Sequence, residues 1–319
     1  MLKLTRFTLC LAAALCVASS AQAQMQWTVT GGGWTPFLPE YKGLFQTSNA
    51  NVVEATDVFE SDVSHYGGRA RVHGFYDFVG YRTLLEVRAT IAGADSMGDR
   101  ASIDDPSAAS QIYLSSLDGD NDLATLDGET VSTNLNADTF YHDSYIGLRD
   151  LFDLTDWGIG ELTIGCGLSH MRFDQDLTMD ATVSPTKGLV YQEDLESNFL
   201  GGEIVATIRR QLFGRDFFFD TSVGIYDLDV VYDGVSTTTD GGAVIDTGDV
   251  TSRLSSSAFT YEAAIRYDWH FAGALIRPTI GVKYITDMPS IVHANDLTTP
   301  VSLTTDDALL LEGGWEIVF

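Results

Sequence analysis

Apolar and polar residues alternate with a period of two along much of the chain, most strictly at its end. Leu309, Leu311, Gly313, Trp315, Ile317 and Phe319 fall on one face, and Leu310, Glu312, Gly314, Glu316 and Val318 on the other. That period predicts a β-strand with different surroundings on its two sides. One face carries bulky apolar groups and no charge while the other admits glutamates, as expected where lipid lies on one side and a polar lumen on the other. A half-buried strand of a soluble sandwich alternates in the same way. The remainder of the chain has to separate the two.

Similar segments recur at 26–34, 64–77, 81–94, 139–151, 158–172, 197–210, 217–229, 255–271, 275–286 and 307–319. Each is long enough to cross a bilayer when tilted, and together they predict about ten strands. Tight connections (78–80, 151–157, 211–216, 272–274) take turns with long ones (35–63, 95–138, 173–196, 230–254, 287–306). Short turns on one side and long loops on the other are the asymmetry of transmembrane barrels, and an even strand number puts both chain ends on the short-turn side. The expected fold is therefore an all-β, antiparallel, up-and-down transmembrane β-barrel of about ten strands, or twelve if hairpins from 49–60 and 110–117 insert.

The charges fix which face is which. In 258–271, Phe259, Tyr261, Ala263, Ile265, Tyr267, Trp269 and Phe271 alternate with Ala258, Thr260, Glu262, Ala264, Arg266, Asp268 and His270. A charge on the lipid side costs about 2–4 kcal/mol near the midplane, so the second set must turn inward. The same argument sends Arg69, Arg71, Arg82, Glu86, Arg88, Glu203 and Arg209 into the lumen with Glu262 and Arg266 as candidate pore-lining residues. Tyr76, Tyr81, Trp157, Phe217, Tyr267, Trp269, Phe271 and Phe319 gather at the short-turn ends, where an interfacial aromatic girdle is expected.

Residues 1–23 have a cationic start (Lys3, Arg6), an apolar run from Phe7 to Ala18, and the small-residue site Ala21-Gln22-Ala23. They read as a secretory signal peptide, leaving residues 24–319 as a single barrel domain in the outer membrane. Leu15 stands where a lipoprotein processing site wants a small residue, so Cys16 is not expected to carry lipid. Cys166 then remains alone, which excludes an intrachain disulfide, and its alternation with Leu162, Ile164 and Leu168 predicts an apolar filler on the lipid side.

The formal net charge of −27 lies mostly in the long connections. Such a surface repels nucleic acid and attracts divalent cations or basic partners, or simply keeps exposed loops hydrated. Asp118, Asp120, Asp122 and Glu129 occupy positions 1, 3, 5 and 12 of an EF-hand-like spacing, a candidate Ca²⁺ site, although Leu123 replaces the turn glycine and no helices flank it. No other cofactor is implied. Gly158-Ile159-Gly160, Gly31-Gly32-Gly33 and Gly167-Leu168-Ser169-His170 each lack the partners of a nucleotide or nucleophile motif. His142, His170 and His293 have no zinc spacing, and Asp268 with His270 reads as a hydrogen-bonded lumenal pair at the periplasmic end.

The final Phe319 looks like the C-terminal signature of bacterial outer-membrane barrels, which implies that Trp315, Ile317 and Phe319 serve barrel assembly. Ser197-Asn198-Phe199-Leu200-Gly201-Gly202-Glu203, running through Arg209-Arg210 into Phe217-Phe218-Phe219 and Ser222-Val223-Gly224, resembles a hairpin of the Legionella-type major outer-membrane protein family. Tyr145-Ile146-Gly147-Leu148-Arg149 and Glu262-Ala263-Ala264-Ile265-Arg266-Tyr267 resemble its strands. That resemblance implies a pore. The expectation is a non-enzymatic, porin-like channel for small ions or solutes, whose partners are outer-membrane lipid, lipopolysaccharide and the barrel assembly machinery. One rival is a closed barrel whose acidic loops meet cations, envelope components or a host surface. Another is an omptin-like surface protease, since size and strand number resemble the omptins, but the Asp-x-His here, Asp268 to His270, falls at the wrong end.

Overall fold

In the computed structural model, residues 25–39, 41, 44–49, 52–57, 65–77, 83–96, 99–103, 110–118, 122–124, 129–271, 274–293 and 301–319 are described. The signal-peptide assignment lies outside them. The barrel strands are β1 (Met25–Phe37), β2 (His65–Asp77), β3 (Thr83–Ser96), β4 (Val131–Leu154), β5 (Gly160–Ser184), β6 (Lys187–Leu212), β7 (Arg215–Asp240), β8 (Ala243–Tyr267, continued by Trp269–Phe271), β9 (Ala274–Val292) and β10 (Ser302–Val318). Each pairs antiparallel with its sequence neighbours. β10 closes the ring on β1, from Thr28↔Val318 to Phe37↔Leu309. This is an up-and-down barrel.

The hairpin segments expected as extra strands do not enter the ring. Leu44–Asn49, Val52–Asp57, Ser110–Ser115 and Asp122–Ala124 form a separate four-stranded sheet, and Asp99–Ile103 extends the pairing of β4 past the end of β3.

Two of the expected long loops are strand. Residues 173–196 continue β5 into β6, and 230–254 continue β7 into β8, so these strands reach 25 or 26 residues. A tilted strand needs about 9–11 residues to cross the hydrocarbon, so roughly half of each stands beyond it. The outer hairpin between β7 and β8 turns on Gly241 and Gly242, both at positive φ, as a two-residue turn requires. At the opposite end Phe213 and Gly214 make the same turn, with Phe213 almost fully exposed at positive φ.

The alternation changes sense along these strands. In the half that holds the two ends of the barrel, Met25 and Phe319, the outward positions are apolar and exposed: Ile146 and Leu148, Ile164 and Leu168, Leu200 and Ile204, Val223 and Ile225, Phe259 and Ile265. Cys166 shares that exposed face. Farther out, the same parity places Asp138, Asp176, Asp194 and Asp233 outside, while Phe173, Leu177, Met179, Leu195, Val230 and Tyr232 are buried inside. The lower half is apolar outside and polar inside. The upper half is a soluble-type barrel with its own hydrophobic core.

Candidate functional site

The barrel interior gathers the chemistry. In the lower half, which holds Met25 and Phe319, inward charges on neighbouring and opposite strands pair. Arg71 reaches Glu262 at 3.2 Å and Glu312 at 3.6 Å, and Arg69 pairs with Glu312 as well. Arg88 donates to both oxygens of Glu203 at 2.8 and 3.0 Å, and lies 3.6 Å from Asp143. Lys283 joins Asp143 at 3.5 Å and Glu262 at 3.8 Å. Glu86 is clamped by two nitrogens of Arg149 and by His73. Nearer the lower rim, Arg266 forks onto Asp220 at 2.8 and 3.0 Å and meets Glu316, which also takes Arg277. Neutralised and hydrogen-bonded, such charges tolerate burial, whereas one left alone would not.

Within this lattice a cavity of about 50 Å³ remains, lined by Arg69, Arg71, Arg88, Arg149, Glu262 and Ser222 among others. A water needs about 10–15 Å³ on this measure, so there is space for a few waters and none for an organic solute. Directly above lies an aromatic layer. Trp34 stacks on Tyr141 at 5.7 Å, Tyr141 meets Phe173 at 4.7 Å, Phe173 meets Phe199 at 6.0 Å, and Phe199 meets Tyr226 at 6.5 Å. Four of these side chains come from the consecutive strands β4, β5, β6 and β7, so the row follows that side of the inner wall, and Trp34 reaches it from β1. Lys283 Nζ, 3.3 Å from the Tyr141 hydroxyl, ties the charged layer to it.

Beyond the aromatics, Leu135, Leu177, Met179, Leu189, Tyr191, Val230, Met288 and Ile291 fill the upper barrel. Three connections fold onto its mouth. The amide of Leu117 donates to Ser236 Oγ at 3.0 Å, and the amide of Val301 donates to the Leu117 carbonyl. Tyr41 and His293 descend to Glu193 on β6. Burial pushes the Glu193 carboxyl upward, but His293 and the hydrogen bonds from His293, Tyr41 and Tyr232 outweigh it and hold the group below its ordinary range.

Of the sequence-predicted lumenal residues, Arg69, Arg71, Glu86, Arg88, Glu203, Glu262 and Arg266 are inside. Arg209 keeps inward parity but sits half-exposed at the lower rim with Glu161 and Asp216. Arg82 lies outside the described residues. Asp143, Asp220, Lys283, Arg149 and Arg277 complete the lattice with Glu312 and Glu316 of the polar face of the last strand; extending the same parity along the other strands would have found the first five. Trp315, Ile317 and Phe319 face outward, and the Phe319 amide bonds to the Trp27 carbonyl at the closing seam.

Of the EF-hand-like spacing, the described side chains are engaged elsewhere. Asp118 accepts from Ser116, Glu129 pairs with Lys187 at 3.3 Å, and residue 122 begins a short strand. Asp120 lies outside the described residues, among which no group of three or more metal-ligating side chains occurs. Asp268 is paired to Arg277 rather than poised beside His270. On the exterior, Asp95, Asp138, Asp176, Asp194 and Asp233 stand directly opposite one another across five consecutive strands, all exposed. Like charges in register repel. Partial burial, the bond to Asp176 and the charges of Asp176, Asp174 and Asp233 raise Asp194 to about 6.

No family model matches the chain, and no curated protein is similar to it. Among solved structures it is similar to the outer membrane protease OmpT of Escherichia coli at 8% identity and TM-score 0.43, covering 94% of this chain and 100% of that one. It is similar to the translocator domain of the autotransporter NalP of Neisseria meningitidis at 9% identity and TM-score 0.39, covering 99% and 96%. The toluene transporter TodX of P. putida follows at 8% and 0.23, covering 94% and 91%. At these levels of identity and superposition, no residue role passes from those proteins to this one.

Proposed function

We propose that the protein is a closed, non-enzymatic outer-membrane barrel that holds an acidic surface outside the cell, where it engages divalent cations or basic groups of envelope or host. The outward apolar band and the cleavable-looking N-terminus support the location. The observation that carries the closed state is the filled interior, in which a paired-charge lattice is overlain by an aromatic row and a hydrophobic core. The register of five exposed aspartates supports the surface role as a diffuse negative field rather than a coordination site, because like charges in register attract screening cations or basic groups.

The channel implied by the resemblance to the Legionella-type pore-forming family would need a continuous wet path, and the aromatic row favours the closed reading over it. Planar-bilayer recording of the refolded protein tests the choice. The expected trace stays at the level of the bare bilayer, both for the natural chain and for Arg88→Ala. Reproducible unitary steps from the natural chain would replace the closed barrel with the channel. Calcium titration then tests the surface: Asp176→Asn with Asp194→Asn is expected to lower cation uptake, and unchanged uptake would remove the aspartate register from the proposal.

A further inference from the structure

The wall of the barrel is complete through the apolar band and parts above it. β8 pairs with β9 from Arg266↔Thr279 up to Thr260↔Ile285, and beyond Thr260 it has a partner on its β7 side alone among the described residues. The parting has a local cause. Asp287 takes a positive φ, the pairing of β9 with β10 shifts between Ile285 and Met288, and Pro289 has no N–H to give a ladder, so β9 turns away from β8. Its height follows from the solvent, because an unpaired edge is tolerated in water and not in hydrocarbon, and the break falls just above Phe259, the uppermost outward residue of the apolar band on β8. An edge running from Ala243 to Phe259 is left. The Phe259 amide donates sideways to Thr286 Oγ1 at 2.9 Å, which fixes the sense of the alternation: the odd-numbered residues aim their N–H and C=O groups away from β7. Asp249, Thr251, Arg253, Ser255 and Ser257 present theirs to the open side, and among the described residues no group takes them. Ser255, Ser256 and Ser257 are exposed in succession, so both faces of the strand are wet there. No proline, lysine or bulge blunts the edge between Asp246 and Phe259.

We propose that this edge takes up an extended segment of another polypeptide as an added antiparallel strand, with basic side chains facing out and apolar ones facing in at alternate positions. The inference rests on the acidic-surface function proposed above and names the partner that the surface selects. On the outer face beside the edge stand Asp227, Asp229 and Asp233 of β7 and Asp249 of β8, all exposed, against Arg253. Thr251 donates to Asp233 at 2.8 Å and Ser255 to Asp229 at 3.4 Å, neutral bonds that leave both charges uncompensated. Ser255 and Ser257 lie in register with Asp229 and Asp227, between them and the open side, and they are short enough for a lysine or arginine of the added strand to reach over them to the carboxylates. A depression lined by Asn198, Asp227, Asp229 and Ser255 to Ser257 leads to the same place. On the inner face Val250 and Leu254 are half-buried at the margin of the upper core, so the inward side chains of the added strand meet apolar surface. A second copy in the same bilayer fits less well. Both copies insert in one direction, which offers β8 a parallel neighbour and sets two acidic faces side by side.

Fluorescence anisotropy of a capped peptide of alternating valine and lysine, long enough to lie along Asp249 to Ser257, follows binding to the full chain refolded into phosphatidylcholine vesicles, with empty vesicles as the blank. The natural chain is expected to bind it. The same peptide N-methylated at each lysine keeps its charge but loses the donors that would face β8, and should bind roughly tenfold or more weakly. Ser255→Pro removes an edge donor without touching the β7 ladder and should weaken the plain peptide by a similar factor. Asp227→Asn with Asp229→Asn should weaken it roughly threefold to tenfold. Should Ser255→Pro fail to fold, the comparison of the two peptides on the natural chain decides by itself. Equal binding of plain and methylated peptides overturns the added strand and leaves the acidic field of the proposed function standing. Equal binding of a valine–glutamate peptide overturns the basic partner. No binding of either lysine peptide overturns the inference, and calcium uptake by the same chain then decides the acidic surface separately. A natural chain that sediments in detergent as a dimer, and as a monomer with Ser255→Pro, gives the edge to a second copy and likewise overturns it.

Discussion

The two halves of this barrel share strands, register and a period of two, yet they obey opposite solvation rules. On β5, Ile164 and Leu168 point out below, whereas Phe173, Leu177 and Met179 point in above and Asp176 occupies the outer face there. Below, the exterior solvent is hydrocarbon, which penalises charge and is indifferent to apolar surface, so the polar groups turn inward and must satisfy one another. Above, water surrounds the wall, and burial of the same apolar side chains inside contributes about 1.5–3 kcal/mol each. The difference teaches that parity assigns a residue to a face, while the surrounding medium decides which kind of residue that face accepts.

The comparison breaks most sharply if one member of a buried lower pair is removed. Arg149→Met leaves Glu86 charged with only His73 beside it and should cost about 3–5 kcal/mol, read as a lower urea midpoint of the refolded barrel. The double change Arg149→Met with Glu86→Leu should cost less than Arg149→Met alone; a larger loss would mean that the lattice is not held by pairing. In the upper core, Phe173→Ala should cost about 3–5 kcal/mol through the cavity it opens, and a cost under about 1 kcal/mol would show that the upper half is not packed as a core.

The exterior faces give the next contrast. Leu168→Asp places a charge on the apolar band and should cost about 2–4 kcal/mol, with loss of heat-modifiable migration, whereas Asp176→Leu on the same face of the same strand should stay within about 0.5 kcal/mol. Equal effects would erase the boundary between the halves. The smallest effect is electrostatic. Asp194 has a folded pKa raised to about 6, so it binds more protons in the folded state than in the unfolded one. Its contribution is complete below the ordinary carboxylate range and is lost as pH rises through about 6. Stability should therefore fall between about pH 4 and 6, and Asp194→Asn should flatten that slope; an unchanged slope would locate the titration elsewhere.

The sequence by itself determined the barrel, its ten strands and the lower facing, because a period of two over membrane-length segments has few other solutions and Arg69, Arg71, Glu86 and Glu262 could not face lipid. It also carried, unread, the upper strands. In 173–181, Phe173, Leu177, Met179 and Ala181 alternate with Asp174, Asp176 and Asp180, but the inverted sense reads as an acidic loop when apolar residues are expected outside. What only the tertiary structure decided is which groups meet. Arg71 finds Glu262 across the lumen, Glu86 takes Arg149 rather than Arg88, and Tyr41 meets His293 on Glu193. Alternation places each of these on the inner wall, but the partner of an inward side chain is set by strand shear and barrel closure. Those bring together residues far apart in the chain, and no local pattern encodes that distance.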